Sequence, residues 1–435
     1  NRWRFSEDRR QLVADDGLKA GKVYDLMFRT KDPLVAGLGF AAVRDAVSAA
    51  RAGRFPDVVV SKTIGFGVSQ SGRMLRDFLY QGFNVDERGA RVFDGLMIHI
   101  AGGARGSFTQ RFAASGSDTY FYPSRFPFTP EEETDPVTGA RDGLLNRAKA
   151  DNAVPRIFFT NSAVEYWGGR GASLTHTTVD GTRDLAPGEN ARIYFMAGQQ
   201  HVPAAFPPKR SATNLSRQLP DPLDAEWALR RLLGSMKAWI EDGTKPPDSR
   251  YPRIADGTLV APETLRFPKA LGPAPTRVPL NMRLDLGPDY ISKGIAVLPA
   301  KTGAPFQPLV PSVDADGNDV AGVRMPELAA PLATFTGWNF RDPSTGSPQS
   351  FVRLVGSYVP FALTRAERQA SGDSRLSIQE RYASQAIYLA RVRDAAGRLV
   401  ADGFVLSDDV EAIVERASEH WTWLHTSVVN GSASK

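Results

Sequence analysis

The sequence predicts an α/β fold built on a mostly parallel sheet. Two observations predict it. Over residues 20–103, and again over 155–245, short apolar runs rich in β-branched residues alternate with stretches whose apolar residues recur at helical spacing. One such run also ends in Gly67-Val68-Ser69-Gln70-Ser71-Gly72 and passes at once into a helical pattern. A strand, a tight turn and a helix in that order put one side chain at the tip of a strained turn.

Taken in order, residues 22–30 (KVYDLMFRT) read as a strand, broken at Pro33. Residues 37–52 carry Phe40, Val43, Val47 and Ala50 on one helical face and stop at Gly53. Val58 to Val60 and Thr63 to Val68 suit buried parallel strands. The following helix presents Met74, Leu75, Phe78 and Leu79 and ends at Gly82. Residues 91–100 form the next strand candidate. Residues 104–154, rich in Gly, Ser, Pro and aromatics (Phe108, Phe112, Tyr120, Phe121, Tyr122, Phe126, Phe128), lack periodicity and read as an insertion or lid. Residues 155–162 (PRIFFTNS) and 191–197 (ARIYFMA) resume the strands, and 224–240 is an amphipathic helix. Residues 1–103 and 155–245 therefore form the expected core. Residues 246–435 form an accessory region packed on it, Pro-rich and loop-rich to about 360 and helical beyond, with a capping box at Ser377–Glu380.

Composition narrows the chemistry. The chain has 435 residues and no cysteine, which excludes disulfides, thiolate metal sites and a Cys nucleophile. Net charge is +5, but Lys and Arg are interspersed with Asp and Glu, which argues against a nucleic-acid partner. No apolar run approaches the length of a membrane span.

The turn then selects a nucleophile. Strand and helix nearly touch at such a turn, so the residues two before and two after its tip must be small. Ser69 satisfies this with Gly67 and Ser71; Ser71 does not, because Arg73 follows it. A serine hydroxyl needs a base, and a histidine base needs a carboxylate to hold its tautomer. In the α/β-hydrolase layout these follow the nucleophile in the order acid, histidine. His201, in the loop after ARIYFMA, fits the base. His176 is its main competitor, whereas His99 reads as a core residue and His420 and His425 as structural. Glu165, directly after RIFFTNS, fits the acid, with Asp180 and Asp184 as alternatives; Tyr166 and Trp167 beside it shield it from water or bind substrate. The Gln70 N–H supplies one oxyanion donor. The other normally comes from a loop after an earlier strand, and nothing in residues 3–17 resembles one, so the sheet is expected to lack its first strands.

Two further motifs carry less. Gly37-Leu38-Gly39-Phe40-Ala41-Ala42 matches a dinucleotide fingerprint, but Lys31-Asp32-Pro33 separates it from the strand and no acidic residue ends the next one. Residues 314–319 (DADGND) suggest a calcium loop, but the glycine is misplaced and Met325 stands where the bidentate acid belongs, so a turn is expected. No cofactor and no metal are expected.

These segments resemble a family of large, mostly bacterial α/β-hydrolase-domain proteins. The likeness runs through GLGFAAVRDAVS, GVSQSGRMLRDFLYQGFNVDE, RVFDGLMIHIAGGARGSF, FPFTPEEETDPVTGARDGLL, FFTNSAVEYWGGRGASLTHT, YFMAGQQH, SRYPRIADGTLV and PLATFTGWN. The resemblance implies carboxylic-ester hydrolysis with Ser69, Glu165 and His201 in the roles argued above, and makes the C-terminal segments ordinary parts of the family. It also implies a long segment upstream of Asn1. The expected partners are thus a small-molecule ester and a polypeptide N-terminal to this chain that completes the sheet. An acyltransferase or lactonase with the same triad, a non-catalytic binding protein on the same scaffold, and a dinucleotide-dependent enzyme are the rival readings.

Overall fold

The computed structural model describes residues 3–19, 24, 37–106, 108, 125–210, 215–275, 277–293, 295–297 and 299–429. The chain divides into two units, Asn1–Ala36 and Gly37–Lys435. In the first, Trp3–Phe5 and Leu12–Ala14 pair as an antiparallel hairpin. The strand expected over 22–30 lies outside the described residues apart from Tyr24.

The second unit is organised by a four-stranded parallel sheet of sequential order: β1 (Ile64–Val68), β2 (Gly95–His99), β3 (Arg156–Ser162) and β4 (Ala191–Met196). Alternate side chains serve opposite faces, as the pleat dictates. Leu96, Ile98, Ile157, Phe159 and Ile193 join one core with Phe40, Leu75, Phe78 and Leu79. Met97, Phe158 and Tyr194 join the other with Leu232, Met236 and Trp239. The first core is covered by helices α1 (Gly39–Arg51) and α2 (Gln70–Tyr80), the second by α4 (Glu226–Glu241), while α3 (Ala163–Trp167) is the single turn after β3. This is a three-layer α/β sandwich.

Val58 to Val60 do not form a strand, and Val59 is fully exposed. Three β-branched residues between Pro56 and Ser61 have the composition of a strand but no neighbour to pair with among the described residues. β1 is one of the two outer strands of the described sheet, with Phe66 exposed.

Helix α2 buries three charged side chains, Arg73, Arg76 and Asp77. Arg76 donates to the carbonyls of Gly103, Ala104 and Phe128, clamping the segment that leaves β2. Burial, aided by the charge of Arg105, lowers its pKa to about 9. Burial pushes the Asp77 carboxyl up, against the charges of Arg125 and Arg105. Of the expected insertion, residues 107 and 109–124 lie outside the described residues, and with them Phe112, Tyr120, Phe121 and Tyr122. Phe128 is buried edge-on to Phe306.

The C-terminal region continues the second core. Arg250 and Val323 bridge to Tyr194 and Met196 of β4, and Phe404 meets the Tyr194 ring edge-on. Beyond lie an antiparallel sheet (Leu219–Pro220, Ser357–Pro360, Ala333–Thr336) and two long helices, Gln385–Ala401 and Val410–Val429. Residues 314–319 form a turn: the Asp314 carboxylate accepts the N–H groups of Asp316 and Asn318, and Gly317 has φ 85°. No helix among the described residues is long and apolar enough to cross a membrane.

Candidate active site

Ser69 stands between β1 and α2 with φ 54° and ψ −111°, a conformation that L-residues avoid. The surroundings enforce it. A Cβ on Gly67 would come within 2.6 Å of the Ser71 carbonyl oxygen, and one on Gly72 within 3.0 Å of the Gly67 carbonyl oxygen. Strand and helix therefore touch where the spacing rule required. The Ser69 N–H is held by the His99 carbonyl at 2.9 Å. Ser71 folds back instead, its Oγ accepting from the Val68 N–H and donating to the Val68 carbonyl. It closes the turn, and Ser69 keeps the tip. Gln70 opens α2, so its N–H is one of the first-turn donors without an intrahelical acceptor.

Glu165 lies in the first turn of α3 and is fully buried. One carboxylate oxygen accepts the Ser162 N–H and hydroxyl. The other lies 2.6 Å from His201 Nδ1. Burial pushes the Glu165 carboxyl up, but the His201 hydrogen bond and charge, with help from Arg170 and Ser162, outweigh it and hold the carboxyl below its ordinary pKa. His201 Nε2 in turn lies 2.8 Å from Ser69 Oγ. Three side chains from three loops at the same end of the sheet thus form one hydrogen-bonded line.

The loop carrying His201 is pinned by residues to which the sequence assigned no such role. Asp319 accepts the Gly198 N–H at 2.7 Å, and Asp221 accepts the Gln200 N–H at 3.0 Å. The Gln200 side chain bonds Asp221 and Gly356, and the Gln199 carbonyl accepts from Ala163 at the start of α3. Burial raises both acids, Asp319 to about 7 and Asp221 well above its ordinary value. An acid that is weaker in the folded state binds its proton preferentially there. Stability is therefore lost as pH rises from the ordinary carboxylate pKa through about 7. For Asp319, a displacement from 3.8 to about 7 corresponds to roughly 4 kcal/mol at most. Asp319→Asn keeps an acceptor for Gly198 and removes the titration. Its thermal midpoint should fall less between about pH 5 and pH 8 than the wild type's; parallel curves would exclude Asp319 as the source.

The other histidines are engaged elsewhere. His99 bonds Thr160, His176 bonds the Tyr166 hydroxyl, His420 bonds the Tyr358 hydroxyl and His425 meets the Trp421 carbonyl. Burial lowers His99 and His176 to about 4 and His420 to about 3, so all three are neutral at pH 7. Asp180 accepts from Thr178 and Thr182, and Asp184 from the backbone of Ile254 and Ala255. Neither alternative acid meets His201.

Tyr166 and Trp167, the next two residues of α3, pack into the core. The Tyr166 ring packs edge-on to Phe195, and Trp167 packs on Phe267 and Trp338. Both are buried, and neither lines the cavity next to α3. That cavity, of about 440 Å³, is walled by Val164 on α3 and Gly168 just after it, by Arg73, whose backbone N–H bonds the Ser69 carbonyl, and by Arg170, Trp338 and Arg353.

Residues 21–415 match the model of a family described as an alpha/beta hydrolase domain, and the chain belongs to that family. No curated protein and no solved structure matches it.

Proposed function

We propose that this α/β hydrolase cleaves a carboxylic ester through Ser69, His201 and Glu165. The observation that carries the reading is the line Ser69 Oγ–His201 Nε2, 2.8 Å, and His201 Nδ1–Glu165, 2.6 Å, with Ser69 on a strained turn at a helix N-terminus.

In this reading Glu165, held ionised, accepts from His201 Nδ1–H and so leaves Nε2 free to take a proton. The Ser69 hydroxyl proton passes to Nε2 as Oγ bonds to the ester carbonyl carbon, and the carbonyl electrons move onto oxygen. The Gln70 N–H donates to that oxyanion, and the open N-terminal end of α2 favours its charge. The oxyanion collapses, the alcohol leaves with the proton from Nε2, and an acyl group remains on Ser69. Water then repeats the sequence: His201 takes its proton, hydroxide bonds to the acyl carbon, and the acid leaves as Oγ recovers a proton. No metal is required at any step.

The test is the release of p-nitrophenol from short-chain p-nitrophenyl esters by the wild-type protein, with and without an added alcohol. Hydrolysis gives free acid at a rate indifferent to the alcohol. A transferase gives mainly the new ester, and a rate no higher than in buffer would reject both.

A further inference from the structure

The cavity next to α3 has an unusual charge balance. Its described lining carries four arginines, Arg73, Arg170, Arg341 and Arg353, and no aspartate or glutamate. Three of its walls come from the segments that follow β1, β2 and β3: Arg73 after the first, Ala104 after the second, Val164 with Gly168, Gly169 and Arg170 after the third. Ligands of open α/β sheets bind at the carboxyl ends of the strands. The remaining walls carry Arg341, Arg353, Asn281 and Thr302 beside apolar groups: Leu280, Met282 and Leu284 on one segment, Trp338 and Phe351 on others, their rings nearly parallel at 6.1 Å.

Burial lowers the basicity of Arg170, the Glu165 carboxylate opposes this, and the charge of Arg353 adds a smaller lowering. Glu165 is already shared between His201 and Ser162. Guanidinium groups grip carboxylates through paired, charge-assisted N–H donors, a bond that a neutral ligand cannot match.

We propose that this cavity binds a free carboxylate of the substrate, so that the ester cleaved carries a carboxylate joined to it by an apolar spacer. The turnover part of this proposal rests on the esterase reading above. Arg170, Arg341 and Arg353 hold the carboxylate, and the Leu280–Leu284 segment with Trp338 and Phe351 receives the spacer. Arg73 lines the cavity one helical turn from Ser69, its backbone N–H bonded to the Ser69 carbonyl.

Two matched pairs test it. p-Nitrophenyl hydrogen adipate is compared with its methyl-capped diester, which puts the charge on the acyl side. 4-Acetoxybenzoate is compared with phenyl acetate, which puts it on the alcohol side. The carboxylate member of at least one pair should have a kcat/KM about tenfold higher or more. That ratio should fall towards one in Arg170→Gln, persist in part in Arg170→Lys and shrink as salt is added. Neutral members turned over as well as their carboxylate partners in both pairs would overturn the proposal. Calorimetric titration of the Ser69→Ala protein with adipate reads the anion site without turnover. Binding that is lost on adding Arg170→Gln supports it even if no ester is cleaved, in which case the esterase reading fails alone. No binding by a folded Ser69→Ala protein overturns the anion site.

Discussion

Alanine at Ser69 should lower kcat for ester cleavage by about 10⁴–10⁶-fold while KM changes little. The substitution removes the atom that bonds to the acyl carbon and leaves the cavity and the Gln70 donor intact. Its structural cost should be small, because the Ser69 side chain makes one hydrogen bond, to His201. His201→Ala should cost a similar factor, since a hydroxyl that cannot lose its proton is nearly as inert as none. The double variant should be no slower than either single one, because both residues act on the same step. Losses that multiply would show two independent contributions and would contradict the hydrogen-bonded line.

Glu165→Gln should lower kcat by about 10⁴-fold. The carboxylate accepts from three donors, the Ser162 N–H, the Ser162 hydroxyl and His201 Nδ1. An amide offers one oxygen and one NH₂ to the same groups. With its oxygen towards Ser162, its nitrogen faces His201, and the imidazole proton moves to Nε2, where it blocks transfer from Ser69. With its oxygen towards His201, the Ser162 N–H loses its acceptor inside a fully buried site, at about 1–3 kcal/mol. Activity and stability should therefore both fall, measured as kcat and as the urea midpoint. The depressed Glu165 pKa also means that its contribution to wild-type stability is complete above the ordinary carboxylate pKa and is lost as pH falls through the lower folded value. The Gln variant should lack this component of acid unfolding. A kcat within tenfold of wild type would remove Glu165 from the mechanism.

How far the sequence reached follows from how local each feature is. The turn at Ser69 was legible because its requirement for small neighbours falls within six residues, and the steric clearances at Gly67 and Gly72 express that requirement in atoms. The parallel sheet was legible because strands alternating with helices leave few other arrangements open. The facing of Tyr166 and Trp167 was not: α3 is a single turn, and only the packing of Phe195, Phe267 and Trp338 decides which side meets the cavity. Val58 to Val60 misled because composition does not say whether a pairing partner exists. Asp319 and Asp221 were invisible as supports of the His201 loop. Asp319 lies 121 positions from Gly198, and its motif looked like an ordinary turn. The arginine-walled cavity escaped for the same reason, its four guanidinium groups coming from separate parts of the chain.

The most direct measurement of the central claim is to treat the protein with a fluorophosphonate, which bonds to an activated serine, and to map the adduct by peptide mass spectrometry. The account predicts a single adduct on Ser69, with none on Ser71, and its loss in His201→Ala. An unlabelled wild-type protein, or an adduct on another serine that persists without His201, would contradict it.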